Sequence, residues 1–177
     1  MARLVTGRPR IVSFSYSYHG SVDETLAVMA KDGSTVERGG NVGPPVPVAQ
    51  TTRAAEFNDL ASIEQALRFG DVAAVITEPA LTNIGIVLPE PGFLEGVREL
   101  CTRYGALLII DETHTISAGP GGCTRAWNLH PDIFVIGKSI AGGVPAGAFG
   151  LTTEVARAVS AHAEADLVDV GGVGGTL

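Results

Sequence analysis

Lysine is nearly absent from this chain: there are two, Lys31 and Lys138, against ten arginines. Positive charge as a whole is in deficit, with a net charge of −7 and no basic stripe or aromatic–basic interleaving. That balance excludes a nucleic-acid backbone as the principal partner. Long apolar runs are also missing. No stretch approaches the ~20 residues that a membrane span requires, and Met1-Ala2-Arg3-Leu4-Val5 lacks the apolar core of a signal peptide. Cysteine is limited to Cys101 and Cys123, which lie far apart and fit neither a disulfide framework nor a metal motif. No internal repeat or low-complexity tract occurs. A cytoplasmic location is the default expectation from these absences.

Glycine, by contrast, is abundant at 23 residues, many of them near presumed strand ends, where backbone turns sharply or approaches a ligand. A hydrophobic content of 45% over 177 residues suits one domain with a sizeable core. Three short apolar runs read as strands buried on both faces. They are Val72 to Ile76, Ala106 to Ile110 and Ile133 to Ile136, followed by Glu78, Asp111 and Lys138 respectively. Between them lie segments of helical period. Phe57 to Phe69 aligns Leu60, Ile63 and Leu67, and Gly92 to Tyr104 aligns Phe93, Val97 and Leu100. Strand and helix in alternation imply parallel strands joined by right-handed crossovers. Parallel strands gather their carboxyl ends on one edge, where open α/β sheets bind ligands. Glu78, Asp111 and Lys138 are therefore expected to cluster there.

Nearer the start, Arg10 to Phe14 reads as a short strand, followed by the turn Tyr18-His19-Gly20. Ser21 with Glu24 forms a capping-box pattern, which predicts a helix from Ser21 to about Lys31. Residues Gly33 to Gln50 have no period and read as a long irregular loop or hairpin of the kind that covers a site.

Lys138 carries the chemistry. Lys31 sits in a polar turn, whereas Lys138 follows Ile133-Phe134-Val135-Ile136 and precedes Ser139-Ile140-Ala141-Gly142-Gly143. An amine at the end of a buried strand loses hydration in its charged form and is more readily held as a neutral nucleophile, as a Schiff-base lysine requires. The same position also suits a strand-end lysine pointing to solvent. Gly137-Lys138-Ser139 resembles the end of a phosphate-cradling loop, but that motif needs a glycine where Asp132 stands. A metal hydrolase built on Asp111-Glu112-Thr113-His114, with His19 as a further ligand, is a weaker alternative. Strand alternation separates Asp111 and Thr113 from Glu112 and His114, and nothing else at ligand spacing supports it.

Longer motifs carry a resemblance. Glu78-Pro79 with Asn83 and Gly85, then Pro91-Gly92-Phe93-Leu94, is followed by the block Tyr104 to Glu112. Trp127, Pro131-Asp132 and the block Gly137 to Pro145 complete the set. The chain resembles class III aminotransferases over essentially its whole length, most nearly the glutamate-1-semialdehyde aminotransferase branch and relatives acting on β-amino acids. The resemblance implies an α/β fold: the large domain of fold-type I enzymes that use pyridoxal 5′-phosphate (PLP), with a mostly parallel central sheet flanked by helices.

The resemblance also implies roles. Lys138 would form the Schiff base with the cofactor and shuttle the proton, and Asp111 would pair with the pyridinium nitrogen. Tyr18 would stack on the ring, with His19 and Gly20 shaping the turn. Asn83 would hydrogen-bond the 3′-oxygen, with Glu78 beside it. Thr176 matches a threonine that reaches the cofactor phosphate of a neighbouring subunit, which implies a homodimer with shared active sites and small-molecule amino donors and acceptors as substrates.

Two positions depart from the family pattern. Thr113 stands where a branched aliphatic residue is common, and His114, which would also approach the 3′-oxygen, stands where Gln or Met is frequent. Length is a larger departure, since family members are usually more than twice this size. Residues 1–177 are expected to be a partial large domain, with the phosphate-loop segment upstream and the small domain downstream. Met1 to Gly7 resembles the tail of the helix after that loop. An alternative expectation is a truncated dimerising module without catalysis.

Overall fold

A computed structural model describes residues 1–41 and 46–164. The chain opens with a short helix α1 (Ala2–Thr6), stopped by Gly7 in the left-handed conformation at φ 67°. Strand β1 (Arg10–Phe14) follows, then a 3₁₀ turn at Asp23–Thr25 and the hairpin of β2 (Ala27–Met29) with β3 (Thr35–Glu37). The one-turn helix α2 (Val48–Thr51) leads into β4 (Thr52–Ala55). Next come α3 (Leu60–Leu67), β5 (Val72–Thr77), α4 (Phe93–Tyr104) and β6 (Leu107–Asp111). A 3₁₀ turn at Thr115–Ala118, α5 (Gly122–Ala126), β7 (Ile133–Ile136), β8 (Ala148–Leu151) and α6 (Thr153–Glu164) complete the described elements.

Six strands form one sheet in the order β4-β1-β5-β6-β7-β8. All neighbours are parallel except β7 and β8. Both faces are covered, which explains the unbroken apolar runs. Leu108 and Ile110 of β6 point into a core with Ile63 and Leu67 of α3 and Val97, Leu100 and Cys101 of α4. Leu107 and Ile109 point the other way, toward Ala2 and Val5 of α1 and Val155 and Val159 of α6. The strand period of two thus serves two hydrophobic layers at once. Phe14, Phe57 and Phe93 pack edge to face, with ring centroids 4.8–5.9 Å apart.

The two central helices agree with their apolar period. Asp59 caps α3 by accepting from the Ala61 and Ser62 amides at 2.9 and 3.1 Å. Gly105, at φ 64°, closes α4.

The helix expected from Ser21 to Lys31 is absent. In its place are the 3₁₀ turn and β2, because tertiary partners claim Glu24 and Met29 within the segment. Glu24 pairs with Arg3 at 2.9 Å, and its carbonyl accepts from the Thr52 hydroxyl at 2.7 Å. The Met29 amide donates to Ser15 Oγ at 3.0 Å and the Ala54 amide to Thr35 Oγ1 at 2.9 Å, docking the hairpin beside β4. The expected loop over Gly33 to Gln50 therefore contains a strand, β3, and the one-turn helix α2.

Candidate active site

The carboxyl ends of β1, β5, β6 and β7 bring four segments to one edge of the sheet. The chain leaving β1 turns through Tyr16, at φ 64°, and delivers Tyr18 and His19. Glu78 follows β5 and is 3% exposed. Asp111 ends β6 and Lys138 stands two residues beyond β7. Lys138 has φ 48°, a left-handed backbone uncommon outside glycine, and opens a 3₁₀ turn ended by Gly142 at φ 58°. Glu78, Asp111 and Lys138 thus follow the ends of three adjacent strands, β5, β6 and β7.

Asp111 is held from two sides. His19 Nδ1 lies 2.8 Å from Oδ2, and the Thr113 amide donates to Oδ1 at 3.0 Å. Burial pushes the Asp111 carboxyl up, but the hydrogen bonds from His19 and Thr113 outweigh it and hold the group below the usual carboxylate range. It is a buried anion. A carboxylate accepts, so Nδ1 of His19 carries the proton. Its Nε2 is buried with no hydrogen-bond partner among the described residues.

Lys138 differs from its expected setting. It is exposed in this chain, and β7 is buried only at Ile133. Among the described residues β8 ends the sheet and is mostly exposed, and Phe134 to Ile136 are half-buried. What distinguishes the amine is its contact: Nζ lies 2.5 Å from His114 Nε2 and 5.9 Å from the centroid of the Tyr18 ring. His114 Nδ1 in turn bonds Thr82 Oγ1, and Thr82 Oγ1 bonds Glu78 Oε2. Glu78 Oε1 accepts from the Tyr18 amide at 3.4 Å.

The remaining expected residues are less tightly joined. Asn83 is exposed, with Nδ2 3.5 Å from the Tyr16 carbonyl. Gly20 supplies a left-handed turn at φ 88°. Thr113 contributes its backbone to Asp111. Thr176 lies outside the described residues. Glu112 turns away from the edge into the core, where it accepts from the Thr115 hydroxyl and from the Cys123 and Thr124 amides at the start of α5. Among the described residues no group of three or more His, Cys, Asp or Glu side chains converges as a metal site would. Thr82 is the residue that sequence reasoning missed. Its only signal was position, between Glu78 and Asn83 on the same strand-end segment.

This edge offers an amine, an aromatic face, a buried anion and an unpaired buried imidazole nitrogen. Those groups suit an aldehyde-bearing, cationic heteroaromatic ring. A family model described as "Aminotransferase class-III" matches residues 1–172. A glutamate-1-semialdehyde 2,1-aminomutase from Syntrophomonas wolfei is 42% identical over 180 residues, covering 99% of this chain and 41% of the relative. A solved lysine-to-alanine variant of a glutamate-1-semialdehyde aminomutase from Pseudomonas aeruginosa PAO1, in complex with PMP, superposes with a TM-score of 0.87 at 49% identity. That match covers 90% of this chain and 35% of the solved one. An omega-transaminase from Sphaerobacter thermophilus superposes at 0.78 with 35% identity, covering 88% and 37%. The chain thus spans about two fifths of the length of such relatives. With motifs, fold and strand-end residues all in agreement, the chain belongs to the class III aminotransferase family.

Proposed function

We propose that the protein is a PLP-dependent aminotransferase or aminomutase acting on small amino compounds of the glutamate-1-semialdehyde or β-amino acid type. Residues 1–177 form part of its cofactor-binding large domain. The observation that carries this reading is the placement of Lys138 and the His19-bound Asp111 at the ends of adjacent parallel strands.

Pyridoxal 5′-phosphate, when bound, supplies an aldehyde for a lysine amine and an electron-poor ring that accommodates the charge left as a proton leaves substrate carbon. Lys138 would hold the cofactor through its amine and would supply the base for that proton. Asp111 presents a fixed negative charge to a protonated ring nitrogen, and His19 and Thr113 keep it ionised and oriented. Tyr18 gives an aromatic face beside Lys138. Gly20, Glu78, Asn83, Thr113 and His114 line the same edge.

Homodimerisation belongs to the same reading, with Thr176 reaching the neighbouring site. Exposed Ile84, Ile86 and Leu88, beside Asn83, offer an apolar strip for a second copy to cover. Cytoplasmic location is supported by Cys101 and Cys123, both of which are free thiols.

The test uses the complete protein. Adding PLP is expected to give a visible absorbance band and amino transfer in a screen of 4,5-diaminovalerate-type, α-amino and β-amino donors. Lys138→Ala is expected to abolish both. A Lys138→Ala protein that keeps the band and turnover overturns the assignment. Light scattering reads the dimer.

A further inference from the structure

The three groups joined in line to Lys138 are wired with a definite polarity. An ammonium donates and never accepts, so His114 Nε2 must offer its lone pair to Lys138 across 2.5 Å. A neutral imidazole then carries its single proton on Nδ1 and donates it to Thr82 Oγ1. The Thr82 hydroxyl hydrogen is left free to bond Glu78 Oε2. Glu78 is 3% exposed, so its charge is compensated by protein donors: the Thr82 hydroxyl and the Tyr18 amide at 3.4 Å. The chain of bonds begins at a cation and ends at a buried anion.

We propose that His114, Thr82 and Glu78 form a proton relay that drains the Lys138 amine. Each of three protons moves one bond along. A proton on Lys138 Nζ passes to His114 Nε2, leaving its electron pair on the lysine nitrogen. The His114 Nδ1 proton passes to Thr82 Oγ1, and the Thr82 hydroxyl proton passes to Glu78 Oε2. Lys138 ends neutral, His114 ends neutral in its other tautomer, and Glu78 ends protonated. One positive and one negative charge cancel, and no atom exceeds its valence. The reverse shift returns the proton. Within residues 1–164 no strand buries Lys138, and its polar side-chain contact is with His114. The charged groups facing His114 are Lys138 from the β7 side and Glu78 from the β5 side. Asp111 is occupied by His19 and Thr113. Glutamine, frequent at this position in the family, can accept from a lysine but cannot pass a proton through its amide.

This inference rests on reading Lys138 as the reactive amine, and its test does not use turnover. The complete protein, freed of cofactor, is labelled with formaldehyde and cyanoborohydride at neutral pH, and the labelling rates of Lys138 and Lys31 are read by peptide mass spectrometry. Lys31, in its exposed turn, is the internal reference. Lys138 is expected to label at least about tenfold faster than Lys31, since proton transfer to a positioned group contributes factors of this size and larger. His114→Gln, Glu78→Gln and Thr82→Val are each expected to bring Lys138 down to the Lys31 rate, while Thr82→Ser keeps it fast. Should Glu78→Gln fail to fold, the comparison of Thr82→Val with Thr82→Ser decides. A Lys138 that labels no faster than Lys31, or one whose rate is unchanged in His114→Gln, overturns the relay. A PLP band with a His114-independent labelling rate sinks the relay alone. Fast, His114-dependent labelling without a PLP band sinks the aminotransferase reading alone.

Discussion

His19 Nδ1 donates to Asp111 Oδ2 across 2.8 Å, and the two side chains are 2% and 7% exposed. Ninety-two positions separate them in sequence, and the turn after β1 closes that gap. The contact fixes both partners. Asp111 uses one oxygen for His19 and the other for the Thr113 amide, so both act as acceptors only.

Asp111→Asn tests that arrangement. An amide has one acceptor and one donor end, so it cannot accept from both His19 and Thr113. One bond is lost or His19 changes tautomer, at a cost of about 1–3 kcal/mol of stability for a buried polar group left unpaired. The negative charge offered to a ring nitrogen is also gone. In the complete enzyme the variant is expected to bind PLP through Lys138 but to lose turnover by roughly a hundredfold or more, about 1.4 kcal/mol for each factor of ten. The pH dependence gives a second readout. The folded Asp111 carboxyl is held below its usual 3.8. Its contribution to stability is present above about pH 4 and is lost as pH falls through the folded value. Thermal melts between neutral pH and pH 3 should therefore fall less steeply for Asp111→Asn than for the parent. A variant that is as stable, as acid-sensitive and as active as the parent places the site elsewhere.

How much of this was legible in sequence depends on what set each element. Strands β5 and β6 were readable because a buried parallel strand needs apolar residues on both faces, and Leu107 to Ile110 satisfy two cores at once; β7 carries the same apolar run although only Ile133 is buried. Helices α3 and α4 were readable because one apolar stripe faces the sheet. The hairpin of β2 and β3 was not, since Arg3, Ser15, Thr35 and Thr52 divert it from helix through contacts that no local pattern records. Strand β8 was missed because Ala148 to Leu151 is short, follows Gly147 and is interrupted by Gly150, which breaks its apolar run. At the site, residue types and strand ends were readable. The bonding was not: nothing in sequence pairs His19 with Asp111, or inserts Thr82 between His114 and Glu78.

Two glycines make opposite predictions. Gly122 begins α5 at φ 62°, and a Cβ there would lie 2.6 Å from Glu112 Oε2 and 2.8 Å from its Cδ. Glu112 is wholly buried and holds the Cys123 and Thr124 amides, so it has nowhere to retreat. Gly122→Ala is expected to lose about 2–4 kcal/mol through backbone strain and broken hydrogen bonds. A Cβ on Gly96 would lie as close, 2.5 Å from Leu60 Cδ1, but that methyl ends a flexible side chain that is 37% exposed. Leu60 can swing aside, and alanine in mid-helix gains about 1 kcal/mol over glycine, so Gly96→Ala is expected to stay within about 1 kcal/mol of the parent. Urea denaturation of both variants checks the pair. Equal losses would mean that the α3–α4 contact is as rigid as the Glu112 cap.

Cys101 supplies a prediction at the alkaline end. It sits on the buried face of α4 at 0% exposure, in the core with Val97 and Leu100. Burial pushes its thiol from the usual 9.0 up to about 12, with Arg98 lowering it and Asp132 raising it as smaller contributions. The folded state therefore favours the neutral thiol. That contribution is fully present below about pH 9 and is lost as pH rises toward the folded value, because the unfolded chain ionises first. Cys101→Ala removes the ionisation and leaves a small cavity, at a cost of about 1–2 kcal/mol near neutral pH. Its stability should fall less between pH 9 and 11 than that of the parent, so the two curves converge. Reactivity follows from the same burial, since the thiolate is the nucleophile. At pH 8 iodoacetamide is expected to leave Cys101 unmodified in the folded protein and to modify it fully in denaturant, read by peptide mass spectrometry. Rapid labelling of the folded protein would mean that α4 separates from the sheet far more often than a helix closing this core can.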